Sequence, residues 1–415
     1  MSIKVATLDS VDLNGKKVLL RVDFNSPLNE NKKIIDFSRI KIHVKTIREL
    51  INKNASVAIL THQGRPGMED FSDLSEHSLL LEKELGYKVN FIDDIIGPHA
   101  RNSIFMLKDG EVLMLDNVRF LSEENIEASG DFHSKSYMVR KLAPLFNYFI
   151  NDAFATAHRK HASIVGFPYV LPSLAGRVME SEVIALKEIR DPKISPKIFV
   201  LGGTKINDSI RIINNILKNS NSSTRVLLTG LVSELFLFAS GIDIGKSNKE
   251  KLEKLGGISL LSNAKSILLN YKDRIILPED FVIEGGGVVD IKELPKKEGL
   301  IKDIGEKTIE EYSNIMREAK VIVLRGPAGV IEEKEYMKGS IELVKNAAST
   351  NAKVILGGGH LTAVLDFIPE NLRTRIHNSS GGGALLLYLS GEMLPGIEAL
   401  SFSASKFNLD GIQLE

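Results

Sequence analysis

A chain of 415 residues, 43% of them hydrophobic, is long enough to form two or more domains with substantial cores. Its 53 Lys and Arg residues balance its 53 Asp and Glu residues, so net charge offers no general attraction to nucleic acid or membranes. The absence of cysteine excludes disulfides, thiolate metal ligands and cysteine nucleophiles. No signal peptide pattern or membrane-length apolar run is present, so we expect a soluble, cytoplasmic protein.

The first part of the sequence alternates apolar strands with helical stretches. Short apolar segments predict strands at residues 17–21, at 55–60, in a run that ends at Leu115, and at 145–150. Apolar residues at helical spacing predict helices at 39–51 and 135–146. This alternation predicts an α/β fold with a doubly wound parallel sheet.

A helix separates this part from the rest of the chain. Residues 177–190 have helical spacing, and Asp191-Pro192 ends the helix because the residue before a proline avoids helical dihedral angles. We expect segment 171–195 to connect a domain of residues 1–170 to a second domain of residues 196–400, with a cleft between the two domains.

The second part repeats the alternation, which predicts a second doubly wound parallel sheet. Strands are predicted at 197–201, 225–229, 274–277, 320–324 and 353–356. Helices are predicted at 208–218, 307–318, 334–348 and about 360–367.

Polar and basic residues follow the four strands of the first part. The segments concerned are 21–28, 62–66, 116–120 and 151–163, the last of which contains His158, Arg159, Lys160 and His161. One strand-end arginine is usually a surface residue. The carboxyl ends of parallel strands share one edge, however, so four such ends predict a composite site for an anion.

Glycine follows the strands of the second part instead. The glycine turns are at 202–203, 230, 285–287, 326, 357–359 and 381–383. Glycine lets backbone N–H groups approach phosphate oxygens, and a following helix adds its positive end. One glycine is most often a plain turn, but six such turns in one α/β half favour a nucleotide as the ligand.

Taken together, these segments resemble the phosphoglycerate kinase family. The family's signature strand is matched by 21–28, its histidine–arginine loop by 62–66 and its basic loop by 151–163. Five further motifs follow in the family's order, at 201–205, 277–281, 303–308, 326–332 and 379–383. The resemblance covers nearly the whole chain, and the segments 207–209 and 357–360 are similar to the archaeal branch.

The resemblance implies reversible phosphoryl transfer between ATP and the carboxylate of 3-phosphoglycerate, with ADP and 1,3-bisphosphoglycerate as the other pair, in glycolysis and gluconeogenesis. The nucleophile would be a carboxylate that is already ionised near neutral pH, so no general base is needed. The resemblance further implies that segment 401–415 crosses back onto the first domain. It also implies that Mg²⁺ accompanies the nucleotide and that the domains move by hinge bending.

The matched motifs also imply roles for individual residues. The implied substrate-binding residues are Asp23, Phe24, Asn25, Arg39, His62, Gln63, Gly64, Arg65, Arg119 and Arg159. The implied nucleotide-binding residues are Lys205, Glu332, Gly358, Gly359, His360 and Leu361. Arg39 and Lys205 are the expected catalytic residues, because each would neutralise charge on or near the migrating phosphoryl group.

Two positions depart from most of the family. Ser209 stands where lysine is usual, and His360 stands where aspartate is usual. Because histidine is a poor ligand for a hard cation, we expect no metal site made by the protein and expect nucleotide phosphates and water to hold Mg²⁺. Two alternatives stay open: a nearby carboxylate replaces the lost metal ligand, or the nucleotide preference has changed.

Two other functions also stay open at this point. The first is a kinase for another acyl phosphate, against which the several arginines argue, because acetate has no second phosphate to bind. The second is a non-catalytic nucleotide sensor or scaffold. We expect a monomer or homodimer that binds neither nucleic acid nor membrane.

Overall fold

A computed structural model of the chain describes residues 3–285, 287–297 and 299–414, except for the side chain of His360. The strands are β1 (Lys4–Val5), β2 (Lys17–Arg21), β3 (Ser56–Leu60), β4 (Val89–Ile92), β5 (Val112–Leu115), β6 (Tyr148–Asn151), β7 (Ser173–Ala175), β8 (Lys197–Leu201), β9 (Arg225–Leu228), β10 (Ile275–Ile276), β11 (Asp280–Ile283), β12 (Val288–Asp290), β13 (Ile301–Ile304), β14 (Val321–Arg325), β15 (Lys353–Gly357), β16 (Ile376–Asn378) and β17 (Ile412–Gln413).

The helices are α1 (Ser38–Asn52), α2 (Ser75–Leu85), α3 (Pro98–Met106), α4 (Gly130–Ser134), α5 (Tyr137–Leu142), α6 (Arg177–Arg190), α7 (Ile206–Asn219), α8 (Gly230–Ala239), α9 (Lys246–Lys254), α10 (Leu261–Tyr271), α11 (Glu306–Met316), α12 (Lys338–Ala348), α13 (Gly359–Thr362), α14 (Glu370–Arg373), α15 (Gly382–Leu389) and α16 (Pro395–Lys406). Within the described part of the chain, no helix is both long and apolar enough to cross a membrane.

The chain forms two compact units. Unit 1 comprises Met1–Lys187 and Met393–Glu415, and unit 2 comprises Glu188–Glu392. Each unit contains a six-stranded sheet. The predicted fold class, two α/β units with parallel sheets, is confirmed.

The sheet of unit 1 has the strand order β4-β5-β3-β2-β6-β7, and every pair of neighbours is parallel. Alternate residues of β2 enter opposite cores, with Val18 and Leu20 on one face and Leu19 on the other. Arg21 is in register with Leu60 and with Asn151. The carboxyl ends of β5, β3, β2 and β6 are therefore neighbours, as the sequence predicted.

The carboxyl-terminal segment packs within unit 1. Strand β17 pairs antiparallel with β1, and the Ser403 hydroxyl accepts a 2.9 Å hydrogen bond from the Ser173 N–H. The rings of Tyr169 and Phe402 stack with centroids 4.1 Å apart. The part of the chain that returns to unit 1 begins at Met393.

The main sheet of unit 2 has the order β10-β9-β8-β14-β15-β16, again with parallel neighbours. A second, antiparallel sheet with the order β12-β11-β13 was not predicted from the sequence. The glycines at 285–287 connect β11 to β12 in this antiparallel sheet, and Gly286 lies outside the described residues. The other glycine turns follow strands of the parallel sheet.

Some predicted helices are shorter than their apolar patterns suggested. The helix predicted at 135–146 is α5 followed by a 3-10 turn at Ala143–Leu145, where Pro144 cannot donate a helical hydrogen bond. The stretch predicted at 360–367 is the four-residue α13 followed by a 3-10 turn at Ala363–Phe367.

Candidate functional site

At the carboxyl edge of the unit 1 sheet, side-chain hydrogen bonds join the segments that follow three of its strands. The Asn25 side chain accepts a 2.8 Å hydrogen bond from the Gly64 N–H, which links the segment after β2 to the segment after β3. Asn117, after β5, donates a 2.8 Å bond to the Gln63 carbonyl. These bonds fix the loops relative to one another, so the cationic residues they carry belong to one site.

Arg21 is the internal cation of this edge. Its side chain is 1% exposed, and Nε donates a 2.7 Å hydrogen bond to the Ser163 hydroxyl. The same guanidinium contacts the Val22 carbonyl and lies 3.8 Å from the Glu124 carboxylate. Burial lowers the pKa of Arg21, although Glu124 acts in the opposite direction. Its donors are engaged within the protein, so Arg21 organises the edge and is not itself a candidate ligand.

His62 is placed as a neutral hydrogen-bond donor. Burial, followed by the charge of Arg21, holds the pKa of His62 well below 6.5. Its Nδ1 atom lies 3.2 Å from an Arg21 nitrogen, and a guanidinium can only donate. Nδ1 must therefore accept, which leaves the single proton on Nε2 and available to an anion.

Asp23 and Arg39 form an ion pair at the start of α1. The Asp23 side chain is 4% exposed and contacts the guanidinium of Arg39, whose side chain is 41% exposed. Asp23 Oδ1 also accepts the N–H of Asn25 at 3.2 Å. Arg39 is thus held beside the anion edge at its buried end while much of its side chain faces solvent.

Three of the expected substrate-binding residues contribute to packing and hydrogen bonding inside unit 1. The Phe24 side chain is fully buried in the core. The Gln63 amide is fully buried and exchanges two 2.9 Å hydrogen bonds with the backbone of Ser26. A β-carbon on Gly64 would lie 2.5 Å from the carbonyl of Asp70. Because the side chains of Phe24 and Gln63 are held in the interior, only the backbone of these two residues could contact a substrate.

The remaining arginines keep capacity for a ligand. Arg65 is exposed, and no salt bridge to it is present among the described residues. Arg119 donates to the Gly64 carbonyl, while burial and the nearby Arg21 charge lower its pKa to about 10. Arg159 lies 3.5 Å from Glu127 in a half-exposed pair, which is a weak contact in solvent. Among the described residues, neither Arg65 nor Arg119 forms a salt bridge, and these two cations on one sheet edge favour an anionic ligand.

In unit 2, the glycines of the parallel sheet fall into two groups. A β-carbon on Gly326 would lie 2.3 Å from the Gly202 carbonyl, and one on Gly230 would lie 2.8 Å from the Gly203 nitrogen. These glycines are required by close packing of backbone against backbone. Leaving out chain neighbours, no described atom lies within 4 Å of a β-carbon built on Gly358 or Gly359, so the described residues leave open space beside this turn.

The other expected nucleotide ligands differ in exposure. Lys205 is exposed at the start of α7, and Glu332 is exposed in the segment after β14. Leu361 is 2% exposed, so its side chain belongs to the core and only its backbone could contact a ligand. The side chain of His360 lies outside the described residues.

Sequence reasoning missed three buried polar residues, His43, Asp152 and Arg325. His43 and Asp152 form a 2.7 Å pair beneath the Asp23 segment. Arg325 ends β14, where burial lowers the pKa of its guanidinium. The available signal for Arg325 was a charged residue at the end of an apolar strand, immediately before Gly326-Pro327.

A cationic edge on one parallel sheet and open glycine turns on a second are typical of an α/β enzyme that transfers a phosphoryl group between a nucleotide and an acidic metabolite. Comparison with known proteins identifies the family within this class of enzymes. The family model described as Phosphoglycerate kinase matches residues 8–392.

Relatives and solved structures agree with that match. The chain is 51% identical to a phosphoglycerate kinase of Saccharolobus solfataricus, over 97% of this chain and 98% of the relative. It is 46% identical to that of Aeropyrum pernix, over 99% of each. The crystal structure of phosphoglycerate kinase from Pyrococcus horikoshii has a TM-score of 0.85 and 39% identity, covering 97% of this chain and 100% of that one. The chain belongs to the phosphoglycerate kinase family and is a phosphotransferase, and its similarity to archaeal members is confirmed.

Proposed function

We propose that this chain transfers a phosphoryl group reversibly between ATP and the carboxylate of 3-phosphoglycerate, with unit 1 binding the phosphoglycerate and unit 2 binding the nucleotide. The observation that carries this assignment is made at the carboxyl edge of the unit 1 sheet. The segments after four adjacent strands carry cationic residues there, and His62 lies among them as a neutral hydrogen-bond donor.

The phosphate that is not transferred would bind to His62, Arg65, Arg119 and Arg159. Guanidinium groups form paired hydrogen bonds with phosphate, and the Nε2–H of His62 adds one neutral donor. Asp23 and Asn25 would hold the hydroxyl and carboxylate region of the glycerate. A smaller acid such as acetate would leave the phosphate-binding groups without a ligand, so this arrangement favours the phosphorylated substrate.

Arg39 is proposed to act on the migrating phosphoryl group. Its buried contact with Asp23 fixes one end of the guanidinium, and its exposed part can reach toward a ligand. A charge placed where negative charge develops lowers the barrier more than it strengthens ground-state binding.

On unit 2, the backbone of Gly358, Gly359 and Leu361 would contact nucleotide phosphates, since the Gly358–Gly359 turn has room beside it. Lys205 would add positive charge from the start of α7. Glu332 would accept hydrogen bonds from the ribose hydroxyls. His360 belongs to the same proposed turn by its position in the sequence.

The donors present fit a Mg²⁺ ion that is carried by the nucleotide. Mg²⁺ commonly takes one or two carboxylates and completes its shell with phosphate oxygens and water. Among the described residues, no group of three or more His, Asp or Glu side chains forms a metal cluster. Asp208, half-buried in the first turn of α7 and near Lys205, is the carboxylate that could join the phosphates. Bound Mg²⁺ would neutralise phosphate charge.

A metabolic role completes the proposal. Its proposed metabolic setting is glycolysis and gluconeogenesis, and its proposed location is the cytoplasm. Hinge bending at the connector α6 would exclude water from an acyl phosphate that water otherwise destroys.

A coupled assay tests this proposal. Purified protein is mixed with ATP, Mg²⁺ and 3-phosphoglycerate, and formation of 1,3-bisphosphoglycerate is followed as NADH oxidation by a coupling dehydrogenase. ATP consumption is measured separately with acetate and with glycerate, which lack the phosphate. We expect turnover with 3-phosphoglycerate, a greatly increased KM for glycerate and none with acetate. Absence of turnover with 3-phosphoglycerate would favour the sensor or scaffold.

A further inference from the structure

Arg325 is a buried cation at the carboxyl end of the central strand β14. Its side chain is 10% exposed, and its backbone carbonyl accepts a 2.8 Å hydrogen bond from the Gly202 N–H. The strand register places Arg325 opposite Leu201 of β8 and Gly357 of β15. The residue therefore lies between the turn that leads to α7 and the turn that begins with Gly358.

The guanidinium of Arg325 has few hydrogen-bond and ion-pair partners among the described residues. Its Nε atom is buried and has no hydrogen-bond partner among the described residues. Its ion-pair partner, Asp208, lies 3.8 Å away, which is beyond hydrogen-bond distance. A buried charge with so little compensation destabilises a fold unless a ligand or another group pairs with it.

Arg21 shows what a structural arginine looks like in an equivalent position. It also ends a central strand and is buried, yet it donates to the Ser163 hydroxyl at 2.7 Å and approaches His62 at 3.2 Å. The protein satisfies Arg21 and leaves Arg325 largely unsatisfied. This difference indicates that the full partner of Arg325 is not among the described residues and is instead a ligand.

The surroundings of Arg325 identify the type of partner. Its Cγ atom lies 3.9 Å from the position of a β-carbon on Gly357, directly before the open turn at Gly358 and Gly359. On its other side is Asp208, in the first turn of α7. Ser209, in the same turn, directs its hydroxyl to the Lys205 carbonyl at 3.2 Å and supplies no charge. An anion at the open turn would thus have Arg325 as a neighbouring buried cation.

We propose that Arg325 binds a phosphate oxygen of the nucleotide and so distinguishes nucleoside di- and triphosphates from nucleosides. This inference rests on the proposed nucleotide site of unit 2. A planar guanidinium suits phosphate because its parallel N–H groups match two phosphate oxygens.

Calorimetric titration of Arg325→Met with ADP and with adenosine tests the inference. We expect ADP to bind roughly 10- to 100-fold more weakly than to the original protein, the effect of losing charge-assisted hydrogen bonds. The affinity of the variant for adenosine should stay within about twofold of the original value, because adenosine has no phosphate for Arg325 to bind. Arg325→Lys, which keeps the charge, should lose less ADP affinity than Arg325→Met.

A structural role for Arg325 predicts different results. Equal weakening of ADP and adenosine, or a marked loss of stability in urea, would overturn the inference, because removal of an uncompensated buried charge should not destabilise the fold. Arg373→Met is the matched control, since Arg373 is exposed in α14 and should leave both affinities unchanged.

The same experiment separates this inference from the proposed function. An original protein that is active and binds ADP, with an Arg325→Met variant that binds ADP equally well, would refute the role of Arg325 alone. An original protein that neither transfers phosphoryl groups nor binds ADP would refute both.

Discussion

The imidazole of His43 joins Asp152 to the backbone of the proposed substrate loop. Asp152 Oδ2 lies 2.7 Å from His43 Nδ1, and His43 Nε2 accepts the Asp23 N–H at 3.2 Å. Asp152 Oδ1 also accepts the N–H groups of Val178 and Met179, at 2.8 and 3.2 Å, in the first turn of α6. One buried pair thus connects the Asp23 segment to the start of the connector helix.

Replacement of His43 should affect stability and activity together. His43→Ala leaves the buried carboxylate of Asp152 without its imidazole partner, and we expect the free energy of unfolding to fall by about 2–4 kcal/mol. Because the Asp23 N–H also loses its acceptor, the KM for 3-phosphoglycerate should rise. Urea unfolding and steady-state kinetics measure the two effects. His99→Ala, at an exposed histidine, should change neither; equal behaviour of the two variants would contradict the proposed role of His43.

His77 should make the fold sensitive to acid. Burial lowers its pKa from 6.5 to about 4, and its buried Nδ1 has no hydrogen-bond partner among the described residues. Between these two values the unfolded chain binds a proton that the folded chain does not, so the free energy of unfolding falls as pH drops from 6.5 to 4. The contribution of this group is about 3 kcal/mol.

The measurement is the urea unfolding of the original protein and of His77→Gln at several pH values in this window. His62 titrates in the same direction in both proteins, so the difference between them isolates His77. We expect the variant to show the shallower loss of stability. Parallel pH profiles would rule out His77 as a source of the acid sensitivity.

Arg39 and Arg65 should affect different kinetic constants. Arg39→Ala should lower kcat roughly 10²–10³-fold, because its charge would be needed mainly in the transition state. Arg65→Ala should chiefly raise the KM for 3-phosphoglycerate, because the phosphate it would bind is present in both ground and transition states. Steady-state kinetics of the two variants would decide the question, and matching changes in kcat and KM would refute this division.

Gly359→Ala tests whether the open turn of unit 2 receives phosphate. Apart from chain neighbours, an added methyl group meets none of the described atoms within 4 Å, so the melting temperature should not fall. If phosphate approaches this backbone, the same methyl group should weaken ADP binding about tenfold or more. Gly287→Ala, at an exposed glycine of the β11–β12 connection, should change neither quantity. Unchanged ADP affinity in Gly359→Ala would place the phosphates elsewhere.

The Mg²⁺ requirement should depend on Asp208 more than on His360. Asp208→Asn removes a carboxylate beside the proposed phosphate site, so the Mg²⁺ concentration that gives half-maximal activity should increase severalfold. His360→Ala should leave it nearly unchanged, because imidazole is a poor ligand for Mg²⁺. The control is Asp273→Asn, at an exposed aspartate in the connection before β10. A large increase in His360→Ala alone would show that the histidine serves the metal.

Local patterns in the sequence predicted the inner strands of both parallel sheets but not the edge strands β4, β7 and β16. Apolar runs ended by polar or glycine residues predicted β2, β3 and β8 closely, because such patterns reflect burial of a strand between two layers of helices. The antiparallel sheet β12-β11-β13 was missed, since its strands are three to four residues long and two of them are joined by a glycine-rich connection. Strand ends near Arg21 and His62 were predicted to share an edge, because parallel connectivity requires it.

Only the tertiary structure decided whether each polar side chain bonds within the protein or remains available to a ligand. Arg21 and Arg325 both end apolar strands, and the sequence alone does not distinguish them. Ser163 and Glu124, distant in sequence, satisfy Arg21, whereas the one acidic partner of Arg325 in the described part of the chain is Asp208 at 3.8 Å. Likewise, Gln63 and Phe24 lie within the family motifs, but long-range contacts place their side chains in the interior. Hydrogen bonding and desolvation act between residues that are close in space, so the sequence determined where charged groups could gather, and the fold decided which of them remain available to a ligand.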